Sequence, residues 1–291
     1  MAEPGLGSGF RVNGEVMTRR CILARCALVP VLMAGSLHAA GQELSASGFV
    51  NFPFSVDGME RTAALYVPPD YDSSKEWPLI VFLHGGGGNG NNNGNALREG
   101  FERNPLVQAI RNYPESFPAL VAFPRCPEGR IWSPVPAHPV QSAWRLNFHG
   151  REPAPDAEEH ITAVIEASLA GFAVDEDRVV ITGYSMGGEG SIRYAALHPE
   201  RIAAVAPAAG SAVIVLEDAP VLAGMGVWMF QGETDNISTT ELAGRMIDAI
   251  RANGGNPRYT EYTGVGHGML GRVFEDPEVM TWMLDQRRSD R

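Results

Sequence analysis

The stretch RVVITGYSMGGEG, residues 178–190, decides the fold of this chain. A run of β-branched residues leads into Gly183, Ser185 and Gly187, which form the pattern G-x-S-x-G, and a helical pattern follows. In a strand–turn–helix setting this pattern is typical of a nucleophile elbow, a sharp turn that raises a serine hydroxyl above the end of a parallel strand. A glycine-rich turn with an incidental serine is the alternative. We predict that Ser185 is a nucleophile.

The turn at Ser185 requires small residues on both sides of the serine. The turn strains the serine backbone, and Gly183 and Gly187 let neighbouring elements approach without Cβ clashes. The first N–H groups of the following helix are free to face a developing anion. We therefore expect the N–H of Met186 to be one donor of an oxyanion hole.

A serine hydroxyl needs a general base, which here must be a histidine. In hydrolases with this elbow the chain order is serine, acid, histidine. His267, in GVGHGML, stands at the end of the last predicted strand and fits that order, and glycines flank it on both sides. The remaining histidines lie in the leader, before the serine or at a helix end: His38, His84, His138, His149, His160 and His198.

The acid must orient the imidazole and stabilise its positive charge. VWMFQGETDN, residues 227–236, ends a predicted strand and offers Glu233 and Asp235 at the carboxyl edge of the sheet. Both could be solvated turn residues. We predict Asp235 as the acid, with Glu233 as the second choice.

Strand and helix patterns alternate along the rest of the chain. Asp57-Gly58 favours a tight hairpin turn near the N-terminus of the folded part. Continuous apolar runs suit strands that are buried on both faces, so the expected fold is α/β, with a mostly parallel sheet, helices on both faces and an N-terminal hairpin. The predicted strands after the hairpin are residues 79–85, 120–124, 178–185, 203–210, 227–232 and 258–267; the predicted helices are 156–171, 187–198, 239–253 and 275–288.

A glycine-rich run, VFLHGGGGNGNNNGN at residues 81–95, follows the first of these strands. Its G-x-G-x-x-G spacing could cradle a dinucleotide, but that needs an acid at the end of the next strand, and Glu99 and Glu102 lie in a helical pattern instead. In the elbow fold, this loop supplies the second oxyanion donor. We predict Gly86 as that donor, with Gly85 and Gly87 as close alternatives.

One long segment, residues 125–156, fits no regular element. Its aromatic content argues against disorder, and long loops in compact domains are often functional. Trp132 and Trp144, with His149, are candidates for substrate binding, since stacking aromatics suit an aryl or sugar ester. They could equally close a small core of the loop itself.

Composition and the N-terminus limit the class of protein. A net charge of -11 over 291 residues argues against nucleic-acid binding. Residues 17–42 have the basic, apolar and small-residue layout of a secretory signal, so we expect a leader over residues 1–41, a true start at Met17, and one catalytic domain over 42–291. The mature chain would be secreted or periplasmic, with Cys126 as its single cysteine and no disulfide. No Cys/His cluster with metal spacing is present, so we expect no metal or cofactor.

The motifs resemble a branch of the α/β-hydrolases that includes feruloyl esterases, acetylxylan esterases, polyhydroxybutyrate depolymerases and related predicted peptidases. The similarity runs from about residue 66 to 287, and rests on PLIVFLHGGGGNG, VDEDRVVITGYSMGGEGS, HPERIAAVAPAAG, VWMFQGETDN and YTGVGHGML. The resemblance implies Ser185, Asp235 and His267 as nucleophile, acid and base. Two positions depart from it: Gln231 stands where a histidine is common, and Met269 where a tryptophan often follows.

The sequence therefore predicts a serine-dependent carboxylic-ester hydrolase that acts through an acyl-enzyme on short-chain or aryl esters. Expected partners are small-molecule or polysaccharide-linked esters, without nucleic acid and without stable membrane association once the leader is removed. A serine peptidase of the same fold is one alternative, because the same groups cleave amides. A catalytically inactive binding module is the other.

Overall fold

The structure, a computed structural model, describes residues 48–88, 96–97, 100–132, 156–212 and 214–291. They all lie within one compact unit that spans Gln42–Arg291. Several predictions lie outside the described residues: the leader over 1–41, Trp144 and His149.

One eight-stranded sheet forms the centre of this unit, in the order β1-β2-β4-β3-β5-β6-β7-β8. The first two strands and the β2–β4 pair are antiparallel, and every other pair is parallel. The strands are β1 (Phe49–Val56), β2 (Met59–Tyr66), β3 (Trp77–Leu83), β4 (Leu120–Phe123), β5 (Val174–Tyr184), β6 (Ala204–Ala208), β7 (Gly226–Gly232) and β8 (Arg258–Tyr262).

Within the described ranges, seven α-helices cover the sheet. They are α1 (Pro105–Asn112), α2 (Glu158–Gly171), α3 (Met186–Leu197), α4 (Ala219–Leu222), α5 (Thr240–Ala252), α6 (Leu270–Glu275) and α7 (Pro277–Asp285). Buried residues of α2 to α5 pack in one apolar core, and those of α1, α6 and α7 pack in a second. Every residue of β3 and β4 is buried, as expected for strands that lie between two layers of helices.

The predicted hairpin is present. Asp57 and Gly58 have φ of 49° and 74°, and Val56 pairs with Met59 across the two-residue turn. Positive φ at both turn residues matches the right-handed twist of the strands, and glycine and aspartate tolerate it. The predicted fold class, a mostly parallel sheet with helices on both faces and an N-terminal hairpin, is confirmed.

Some boundaries differ from the prediction. The strand expected over 258–267 ends at Tyr262, so His267 lies on a loop beyond the sheet. The helices α1, α4 and α6 were not predicted, because they have only 8, 4 and 6 residues and short helices give little periodicity. Among the residues that the structure describes, no helix has the length and hydropathy needed to cross a membrane.

Candidate active site

Ser185 lies on the sharp turn between β5 and α3. Its backbone has φ 55° and ψ -121°, a conformation that costs a non-glycine residue on the order of 1–3 kcal/mol. The flanking glycines allow this turn because a Cβ at Gly183 would lie 2.3 Å from the carbonyl oxygen of Gly187. The strained serine and the close approach at its two glycines are as expected for a nucleophile elbow.

A chain of hydrogen bonds joins the three residues that the sequence selected. His267 Nε2 lies 2.9 Å from Ser185 Oγ, and His267 Nδ1 lies 2.7 Å from Asp235 Oδ2. The aspartate side chain is fully buried, whereas the imidazole is 23% exposed. The imidazole is thus positioned to exchange a proton with Ser185 on one side while Asp235 holds it on the other.

The carboxylate of Asp235 is surrounded by donors. Oδ1 accepts hydrogen bonds from the N–H groups of Ile237 (2.8 Å) and Ser238 (3.0 Å), and Oδ2 accepts from the side-chain amide of Gln231 (3.1 Å). A carboxylate with these partners stays an acceptor, so Nδ1 of His267 must carry a proton and donate to it. Nε2 is then left free to accept the proton of the serine hydroxyl.

Glu233, the second choice for the acid, is placed differently. Its side chain is exposed, and Oε2 accepts a hydrogen bond of 2.6 Å from the N–H of Gly264. This bond holds the turn after β8 that leads to His267. The structure therefore brings Asp235, and not Glu233, to the imidazole.

The glycine loop after β3 lies beside the serine. Its residues Gly86–Gly88 form a 3-10 turn, and together with Gly85, Tyr184, Ser185, Ile237 and His267 they line a cavity of about 380 Å³. A Cβ added to Gly86 would contact nothing within 4 Å, so its backbone borders open space. Met186 is the first residue of α3, and its N–H is one of the four that have no carbonyl partner within a helix. This arrangement can hold an anion next to Ser185.

His84 fixes the start of the glycine loop, a role that the sequence did not reveal. Its Nε2 accepts a hydrogen bond from the N–H of Cys126 (3.0 Å), which leaves Nδ1 to donate to the carbonyl of Gly85 (2.7 Å). The ring thereby ties the loop to the segment after β4. The one sequence signal for this role of His84 was its position directly before the glycines.

Trp132 is buried, which disfavours contact with substrate, one of the two interpretations that the sequence left open. Its side chain is fully buried, its indole N–H donates to the carbonyl of His84 (2.8 Å), and its Cβ packs against Gly190 of α3. The other interpretation, a packing role, fits the structure. A large ring in this place supports the glycine loop from behind.

Tyr184 was also missed as part of this site. Its hydroxyl donates to the carbonyl of His267 (2.8 Å), and the two rings lie 5.2 Å apart. Burial, and to a smaller degree the charge of Asp235, raises the pKa of the Tyr184 phenol. The phenol therefore stays protonated and remains a donor to the histidine loop.

Comparisons with known proteins show what this chain is similar to. Residues 145–279 match the sequence model of the dienelactone hydrolase family. A protein named "Putative esterase NocK", from Nocardia uniformis subsp. tsuyamanensis, is 32% identical over 157 residues, which are 53% of this chain and 39% of that protein. The chain thus spans well under half the length of this relative.

Two solved structures extend the similarity over most of the chain. A thermostable esterase is 30% identical with a TM-score of 0.64, covering 82% of this chain and 63% of that one. A ferulic acid esterase is 15% identical with a TM-score of 0.58, and the match covers 81% of this chain and 98% of that one. At this identity the similarity shows the fold alone. The sheet order, the elbow and these similarities agree that the chain has the α/β-hydrolase fold.

Proposed function

We propose that this chain is a serine-dependent carboxylic-ester hydrolase that works through an acyl-enzyme. The observation that carries the proposal is the unbroken chain of hydrogen bonds from Ser185 Oγ through His267 to the buried Asp235. The same observation disfavours an inactive binding module, since all three groups are present and in contact.

In the first half of the reaction, His267 Nε2 takes the hydroxyl proton of Ser185 while Oγ attacks the carbonyl carbon of the ester. The tetrahedral intermediate carries a negative oxygen, for which we assign the N–H groups of Gly86 and Met186 as donors. The carbon–oxygen bond to the alcohol then breaks, and the imidazolium gives its proton to the leaving alcohol. An acyl group remains on Ser185.

In the second half, a water molecule replaces the alcohol. His267 accepts a proton from the water as it attacks the acyl carbonyl, and returns that proton to Ser185 Oγ when the acid leaves. Asp235 stabilises the positive charge that the imidazole carries in both halves and keeps its own charge throughout. No cofactor takes part in these steps.

The cavity supports small esters as substrates. Its volume of about 380 Å³ is near the lower end of the roughly 300–1,000 Å³ range typical of ligand pockets. Glycine backbone, Tyr184 and Ile237 line it beside the serine and histidine. We assign short-chain or aryl esters, such as acetyl or feruloyl groups. The similarity to a thermostable esterase supports ester chemistry.

We further propose that the enzyme acts outside the cytoplasm, in the periplasm or secreted, on small or polysaccharide-linked esters. The signal-like layout of residues 17–42 supports export. The net charge of -11 disfavours binding to polyanions such as nucleic acids. Fractionation of cells that express the full chain, with N-terminal sequencing of the exported protein, tests both the location and cleavage near residue 41.

The reaction is tested with p-nitrophenyl acetate, a feruloyl ester, a palmitoyl ester and the matching acetyl anilide. We expect hydrolysis of the first two and loss of kcat by about 10⁴-fold or more in Ser185→Ala. A fluorophosphonate probe should label Ser185 in the wild type, as located by mass spectrometry. Preference for the anilide would indicate a peptidase. Absence of both labelling and turnover would contradict the proposal.

A further inference from the structure

Gln231 occupies a buried position next to the acid of the site. It is the penultimate residue of β7, four residues before Asp235, and its side chain is 1% exposed. A buried amide must have its donors and its acceptor satisfied, and each unmade hydrogen bond costs about 1–3 kcal/mol. The hydrogen-bond partners of the Gln231 amide therefore indicate the role of this side chain.

The contacts of Gln231 fix which way the amide points. Its Nε2 donates to Asp235 Oδ2 (3.1 Å) and to the carbonyl of Ser238, while its Oε1 accepts a hydrogen bond from the hydroxyl of Ser211 (3.1 Å). Reversing the amide would place its oxygen against a carboxylate and a carbonyl, which are both acceptors. Only the observed orientation satisfies all of these groups.

Gln231 and His267 share one acceptor. Oδ2 of Asp235 accepts both the amide N–H of Gln231 and the Nδ1–H of His267. The positive end of the amide dipole thus lies beside the carboxylate charge that stabilises a protonated imidazole. Because Asp235 is fully buried, this charge is little screened by solvent, and a neighbouring dipole has a large effect on it.

We propose that Gln231 is a positioning residue that sets how tightly Asp235 holds the protonated form of His267, and so sets the pH above which the base can work. This inference rests on the proposed function. An amide has no proton to lose or gain in the working pH range, so its donation to Asp235 does not change with pH.

Among the residues that the structure describes, two other titratable side chains belong to the segments that hold this pair. Tyr184 on β5 donates to the carbonyl of His267 and stays protonated, and the exposed Glu233 after β7 is bonded to the N–H of Gly264. Neither donates to the carboxylate of Asp235. The amide of Gln231 donates to Oδ2 of Asp235, the same atom that His267 bonds. A substitution of Gln231 therefore acts on the acid directly.

The test replaces Gln231 by methionine, which has a similar length and no donor. Without the amide dipole, the Asp235 charge favours the protonated imidazole more strongly. We expect the acid limb of the kcat/KM profile to move to higher pH by about 0.5 unit or more, about a 3-fold change in the proton equilibrium. We expect KM to change less than 2-fold. Ser211→Ala removes the hydroxyl that bonds the amide oxygen and the carbonyl of Thr239 and leaves the amide itself in place, so it should give a smaller shift in the same direction.

A second readout does not depend on turnover. The ring protons of His267, followed by NMR as pH is varied, should titrate at higher pH in Gln231→Met than in the wild type. Ser168→Ala is the control, because Ser168 is buried and its hydroxyl bonds the carbonyl of Val164, away from the site. Ser168→Ala should lower the stability of the fold and leave both the pH profile of kcat/KM and the NMR titration of His267 unchanged.

The outcomes separate the two proposals. Unchanged His267 titration in both Gln231→Met and Ser211→Ala would overturn the role of Gln231, whatever the activity. If Gln231→Met fails to fold, the direction of the shift in Ser211→Ala decides. A wild type that hydrolyses no ester, with a histidine titration that still moves in the variants, would overturn the proposed function and keep only the effect of Gln231 on the protonation of His267.

Discussion

Gly187 of α3 lies so close to Leu83 of β3 that a Cβ at residue 187 would sit 1.9 Å from the carbonyl oxygen of Leu83. This contact sets the first turn of α3 against the end of the neighbouring strand. The glycine loop begins two residues after Leu83, and the elbow serine lies two residues before Gly187. The close approach thus brings the two parts of the expected oxyanion hole together.

We predict that Gly187→Ala strongly destabilises the chain. The clashing atoms are backbone atoms of two packed elements that cannot move independently, so the cost should be about 3 kcal/mol or more. Gly244→Ala on α5 is the matched control, since a Cβ there meets nothing within 4 Å and alanine favours the helix by about 1 kcal/mol. Urea unfolding measures both. Equal midpoints for the two variants would contradict the prediction.

The fold was predictable because its signals are local. Strands that are buried on both faces have continuous apolar runs in the sequence. The glycines of G-x-S-x-G indicate a sharp turn between a strand and a helix. The order of elements then placed Ser185, Asp235 and His267 at one edge of the sheet, and the structure brings their side chains into contact. Their catalytic roles remain a prediction.

What the sequence did not reveal depends on contacts between distant residues. His84 bonds Cys126 across 42 residues, and Tyr184 bonds the carbonyl of His267 across 83. No periodicity or motif in the sequence indicates such pairs of residues. Trp132 shows the same limit, because an aromatic ring in an irregular segment suits a pocket and a core equally well, and only packing decides between them.

We predict that His84→Ala lowers kcat about 10- to 100-fold and changes KM little. The variant removes the imidazole that bonds both the carbonyl of Gly85 and the N–H of Cys126, so the loop that should supply the Gly86 donor loses its tie to the segment after β4. One oxyanion donor is worth about 10²–10³ in kcat. Steady-state kinetics on p-nitrophenyl acetate measure the effect.

Cys126→Ala is the control for His84, since only the backbone N–H of Cys126 bonds the imidazole. Burial raises the pKa of the Cys126 thiol, which therefore stays protonated and unreactive. The control should retain most of its activity. If the two variants lose activity equally, the hydrogen bonds of His84 are not what holds the loop.

Stability should fall as the solution is acidified, and His160 of α2 should account for part of the loss. Burial lowers the pKa of His160, and the charges of Arg61 and Arg130 add to this, while Glu159 opposes it. Below the ordinary histidine pKa of about 6.5, the unfolded chain binds a proton that the folded ring resists, so folding becomes less favourable. His160→Gln should therefore show a smaller drop in Tm between pH 7.5 and pH 5. Identical drops would exclude this role.

Ile237 should limit the size of the acyl group. Its side chain lines the cavity beside Ser185, while its backbone N–H bonds Asp235, so a side-chain change leaves the acid in place. Ile237→Ala enlarges the cavity and should raise kcat/KM for octanoyl over acetyl esters by about 10-fold. Ile237→Trp fills the cavity and should lower turnover of feruloyl and octanoyl esters while it spares the acetyl ester.

Val221→Ala on α4 is a suitable control for Ile237, because Val221 is a partly exposed apolar residue that does not line the cavity. It should leave the ratio of octanoyl to acetyl hydrolysis as in the wild type. The ratio is the decisive quantity, since a general loss of folded enzyme lowers both rates equally. If alanine and tryptophan at position 237 leave this ratio unchanged, the acyl group binds elsewhere, and the cavity next to Ser185 admits only the reacting carbonyl.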